Sequence, residues 1–98
     1  LTACDADLTN KTNAGNALAT AQNNFWSAMN TENAAFQTWS NNQTQANMTA
    51  WANAKAVLNS AGSALATAVA NYIAAENSYA TCVNTNCCGA KFSTPAGR

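Results

Sequence analysis

Large apolar residues in the second half of the chain recur at a fixed step: Trp51, Leu58, Leu65, Tyr72 and Tyr79 stand seven apart. Ala54, Ala61, Ala68 and Ala75 follow three places after the first four of them. A repeat of this kind marks a helix that lays one stripe against another helix, here with large and small positions alternating. The first half carries a looser version. Leu18, Phe25, Met29, Phe36 and Trp39 fall within one face, and Ala14, Ala21 and Ala28 lie beside them. Between the stripes, Ser40 to Asn47 reads SNNQTQAN and holds no large apolar residue. Asn tolerates left-handed turn conformations, and Thr44 or Asn47 is placed to cap a second helix. At the front, Thr2 and Asp5 resemble a capping box with Asp in the Glu position, and Asp5 and Asp7 suit the positive end of a helix dipole. From Thr2 to about Val83 there is no proline, and Gly15 and Gly62 are the only glycines. Alanine, the best helix former, is the commonest residue.

The pattern predicts an all-α fold, a long antiparallel two-helix hairpin with helices over about 3–40 and 46–84 and a turn near 41–46. Residues 1–84 form the hairpin in this reading, and 85–98 a short, non-helical, cysteine-containing arm. One uninterrupted helix over the same span would be unusual without a partner strand. Charge supports the fold and sets a register. Lys11, Glu32, Lys55 and Glu76 are the charged residues of the helical body apart from the two aspartates at its start. Folding about the Gln43–Thr44 bond sets Lys11 against Glu76 and Glu32 against Lys55, two cross-hairpin ion pairs of opposite sign from one register. It also sets Leu18 near Val69, Met29 near Leu58, Phe36 near Trp51 and Leu8 near Tyr79. Exposed ion pairs contribute about 0–1 kcal/mol each, so their main role is to specify alignment.

The same register returns Cys4 to the cysteines at the far end of the sequence, opposite Val83 and one position from Cys82. The chain has four cysteines, Cys4, Cys82, Cys87 and Cys88, which allow three complete pairings. Cys4 with Cys82 is the first expectation, and Cys87 or Cys88 are the alternative partners. A bond between the adjacent Cys87 and Cys88 is strained, so these two close within the chain, on Cys4 and Cys82, or cross-link a neighbour. The spacing C-x4-C-C lacks the paired C-x2-C form of structural zinc sites, and no histidine is present to help.

Composition narrows the function. Charged residues make up 8% of the 98, and the formal net charge is zero. Lys11, Lys55, Lys91 and Arg98 form no basic patch, which argues against nucleic acid and against a polybasic membrane anchor. No apolar run approaches the roughly 20 residues of a membrane span. Without histidine, and with its carboxylates at a helix start or in the expected ion pairs, the chain offers no free acid–base pair and no base to activate a nucleophile. No phosphate-cradling glycine motif is present. The reading is therefore not an enzyme, with no cofactor and no small-molecule substrate. The start at Leu1 suggests a processed product or a fragment, and the cysteine content suggests a secreted protein in an oxidising environment.

Two helices share a single seam, so part of each stays uncovered. Trp26, Val57 and Ile73 lie off the seam by about 80–100°. With Phe92 in the arm, they form the expected self-association face. Asn10, Asn42 and Asn47 each open an N-x-T glycosylation acceptor, and two of them flank the turn. These features lead to a structural subunit of a self-assembling extracellular filament, pilus-like fibre or surface layer. Its partner is a further copy of itself. Uncharged copies pack without accumulating repulsion.

Two resemblances give alternatives. Thr9, Thr20 and Thr31 follow an eleven-residue step continued by Asn42, and Thr38, Thr49, Ser60 and Asn71 make a second row. This is similar to the alanine-rich helical antifreeze proteins, and the resemblance implies ice binding along a threonine face. The stretches WSN at Trp39–Asn41 and YIAAE at Tyr72–Glu76 resemble the W-x-G and Y-x-x-x-[DE] motifs of the WXG100 family, with Asn41 in the glycine's place. That resemblance implies a secreted helical-hairpin effector.

Overall fold

A computed structural model describes residues 2–86. Cys87, Cys88, Phe92 and all but two residues of the expected arm lie outside the described residues. A 3-10 turn over Thr2–Cys4 leads into helix α1, Asp5–Asn41, and helix α2 follows over Gln45–Asn86. The two form the expected antiparallel hairpin. α2 continues through residues 85 and 86, which the sequence pattern assigned to the arm, and Asp5 and Asp7 occupy the first turn of α1 as expected. No helix is long and apolar enough to cross a membrane among the described residues.

The connection is short and held by hydrogen bonds of Asn42 and Thr44. The Asn42 N–H donates to the carbonyls of Thr38 and Trp39, ending α1. Thr44 caps α2: its Oγ1 accepts from the Asn47 N–H at 3.1 Å, and its carbonyl accepts from the Met48 N–H. A threonine side chain here satisfies one of the first-turn donors that a helix cannot satisfy internally. The carbonyl of Asn42 takes two bonds, from the Thr44 N–H at 2.9 Å and from Asn47 Nδ2 at 2.8 Å.

The chain divides into two compact units, each containing a piece of both helices. A tip unit comprises Thr20–Ala66, and an end unit comprises the described parts of Leu1–Ala19 and Thr67–Arg98. In the end unit, Cys4 and Cys82 are joined by a disulfide with Cα atoms 5.8 Å apart. Cys4 is fully buried, and with Ala68 it makes up the buried core of this unit. In the tip unit the buried core is Ala28 and Ala54.

The less exposed positions reveal a seam in α1 as regular as that of α2. Cys4, Lys11, Leu18, Phe25, Glu32 and Trp39 step by seven, and Asp7, Ala14, Ala21, Ala28 and Ala35 follow three places after each of the first five. Cys4 and Cys82 centre on Gln43, half a residue from the expected bond. In the end unit this sets Lys11 level with Ala75, Ala14 with Tyr72 and Leu18 with Ala68. Each of these layers opposes one large side chain to one alanine, the volume matching that lets two helices pack closely along one seam.

Met29 and Phe36, which the apolar pattern placed in the seam, are exposed on its flank. The positions that belong in the seam are those of Lys11 and Glu32. Their long side chains cover the seam with methylenes and carry the charge to its edge.

Candidate functional site

An antiparallel pairing gives the hairpin two unlike sides. The large positions of both helices lean to one side of the seam and the alanines to the other. Residues four places beyond a large position join the large side. Contacts follow this geometry. In the tip unit the Phe25 ring lies against Gly62, where an added Cβ would sit 3.5 Å from Cε1. In the same unit Phe36 meets Trp51 with ring centroids 5.0 Å apart. In the end unit Tyr72 lies against Gly15, where an added Cβ would come within 3.3 Å of Cε1. These pairs, and Phe36 with Trp51 in particular, match the register read from the charges.

The tip unit concentrates aromatic surface on this side. Trp39 stacks on Trp51 at 5.0 Å between centroids with planes 26° apart, and Phe36 sits near both. Trp51 donates its indole N–H to Glu32 Oε2 at 2.8 Å, and Lys55 Nζ lies 4.0 Å from the centroid of a Trp51 ring. Lys55 follows Trp51 by one helical turn, so its stem runs back along the ring, and the cation meets the negative face of the π-system. In the end unit Lys11 Nζ lies 5.4 Å from the Tyr79 ring centroid.

The two expected ion pairs are therefore replaced by a different arrangement. Among the described residues no lysine nitrogen stands within 4.0 Å of a carboxylate oxygen. Glu32 and Lys55 meet at the edge and face of one indole, because Trp51 stands between them and satisfies both. The tip unit is aligned through that ring. The end unit is aligned by the disulfide and the Gly15–Tyr72 contact.

Of the expected self-association residues, Trp26 and Val57 fall in the tip unit and Ile73 in the end unit. Trp26 and Val57 are both 58% exposed in the tip unit, and helix geometry turns them to opposite sides of the seam. Trp26 follows the large position Phe25 and turns to the aromatic side, whereas Val57 precedes the large position Leu58 and turns to the alanine side. Ile73 is half-buried in the end unit, and Phe92 lies outside the described residues. Trp26, Met29, Phe36 and Met48 are the exposed large residues of the tip unit that helix geometry turns toward the aromatic side. The signal that could have found them was the seven-residue step from Cys4. Lys11 and Glu32 hid it from a reading of apolar residues alone.

The acceptor asparagines also separate. Asn10 lies within α1, Asn47 in the first turn of α2, and Asn42 in the connection. Thr9, Thr20 and Thr31 are exposed on α1, but Asn42 lies beyond its end. Thr38 is on α1 and Thr49, Ser60 and Asn71 on α2, so the turn splits the second row. Trp39–Asn41 are the last residues of α1, and Tyr72–Glu76 lie inside α2. Among the described residues no three His, Cys, Asp or Glu side chains gather as metal ligands. Comparison with protein families, curated proteins and solved structures finds no match to this chain.

Proposed function

We propose that the chain is a structural subunit that self-associates through the aromatic side of its hairpin, in an extracellular filament, fibre or surface layer. The observation that carries this reading is the exposed group Trp26, Met29, Phe36 and Met48 on one side of the tip unit. Exposed apolar area in water favours coverage, at roughly 25 cal/mol per Å² of apolar area removed. The opposing surface is a second copy because the chain has zero formal net charge, so identical copies meet without long-range repulsion. The Cys4–Cys82 disulfide supports an oxidising, extracellular setting.

Sedimentation velocity over a range of protein concentrations tests the surface. Met29→Lys combined with Met48→Lys places charge on the aromatic side while keeping Glu32, Trp39, Trp51 and Lys55, and lowers the assembly state. Val57→Lys, on the alanine side, leaves it unchanged. Equal sedimentation of the wild type and the Met29/Met48 variant, with helix content retained, would overturn the proposal.

A further inference from the structure

We propose that Asn42, alone of the three N-x-T asparagines, is an N-glycosylation acceptor in the folded protein, its co-substrate a lipid-diphosphate-linked oligosaccharide. The inference stands apart from self-association and rests on the geometry of the connection. An acceptor motif is read through two side chains, the asparagine amide and the hydroxyl two residues on. A helix holds residues two apart about 200° from each other around its axis, so they do not face a common surface. Asn10 and Thr12 are fixed in that relation within α1, and Asn47 and Thr49 within α2.

Asn47 is further withdrawn. Its Nδ2, the atom that would be glycosylated, donates to the Asn42 carbonyl at 2.8 Å, and it is half-buried. Asn42 differs in its backbone, its exposure and its amide. It lies outside both helices with an exposed side chain, and its hydrogen bonds are made by its main chain. Thr44 Oγ1 is held as an acceptor of the Asn47 N–H, which leaves its own proton to donate. In the transfer, Asn42 Nδ2 forms a bond to the anomeric carbon and loses a proton. The bond from that carbon to the diphosphate oxygen breaks, and the lipid diphosphate leaves with the electron pair. The main-chain bonds that tie the connection are untouched, so the modified hairpin keeps its fold.

The test uses the folded, disulfide-intact chain with a purified single-subunit oligosaccharyltransferase and its lipid-linked donor, followed by site mapping by mass spectrometry. A parallel reaction uses the reduced, alkylated and denatured chain. The folded protein carries glycan at Asn42 with Asn10 and Asn47 bare, whereas the denatured chain accepts at several of the three sites. Asn42→Gln abolishes modification of the folded form, and the glycosylated wild type melts where the unmodified protein does. Occupancy of Asn10 or Asn47 equal to that of Asn42 in the folded form would overturn the proposal. A bare Asn42 in the folded form would do the same, whether or not the denatured chain accepts glycan.

Discussion

The two helix glycines give a sharp test of the register, because each faces a ring at a known distance. Alanine in place of glycine in a helix interior is worth about 0.8–1.0 kcal/mol from backbone propensity alone. At Gly62 the added Cβ would meet Phe25 Cε1 at 3.5 Å and Cδ1 at 4.0 Å, ordinary van der Waals distances. Contacts of that kind add roughly 0.1–0.2 kcal/mol each. Gly62→Ala therefore stabilises by about 1 kcal/mol, a rise in melting temperature of about 4–8 °C for a domain of this size. At Gly15 the Cβ would stand 3.3 Å from Tyr72 Cε1, so the ring must give by a few tenths of an ångström. Turning a side chain about 30° from its rotamer costs about 0.5–1.5 kcal/mol, which offsets most of the propensity gain. Urea unfolding of the oxidised protein, followed by circular dichroism at two protein concentrations, measures both variants against the wild type. Gly62→Ala raises the midpoint clearly and Gly15→Ala little. A Gly15→Ala gain equal to or larger than that of Gly62→Ala would refute the packing on which the register rests.

Three further outcomes follow from the same contacts. Exchanging charges with Glu32→Lys and Lys55→Glu preserves opposite signs but leaves the Trp51 indole N–H without its carboxylate. The double variant therefore stays about 1 kcal/mol less stable than the wild type in urea unfolding, where a simple ion pair would recover fully. Thr44→Ala removes the cap of α2 and costs about 1 kcal/mol, seen as a lower thermal midpoint. Reducing the Cys4–Cys82 bond, whose cysteines are 78 apart in sequence, frees a long loop in the unfolded chain. Stability falls by about 4–5 kcal/mol in the chain-entropy model, measured by unfolding with and without reductant.

Much of this architecture is legible in the chain. The α2 stripe from Trp51 to Tyr79 gives the seam, the polar run Ser40–Asn47 gives the turn, and the charges give the register to within half a residue. That register brings Cys4 back to Cys82. The rest needed side-chain geometry. Lys11 and Glu32 occupy large seam positions, so the regular repeat of α1 is invisible to a reading that scores only apolar residues. Met29 and Phe36 are apolar yet lie on the flank, because each follows a large seam position by four and turns to the aromatic side. Glu32 and Lys55 reach one indole rather than each other, because which partner a charge prefers depends on what stands between. At Glu32 and Lys55 that is the Trp51 ring, and no periodicity announces it. Trp26 and Val57 look alike on separate helical wheels, and only the antiparallel pairing puts them on opposite sides.

The proposal that this hairpin is a self-assembling subunit is tested most directly by the size of the native particle. Light scattering and negative-stain imaging of source material, with and without reductant, measure it. The account predicts extended assemblies of many copies in oxidising buffer, each copy retaining the Cys4–Cys82 hairpin. A compact monomer or dimer under both conditions would contradict it.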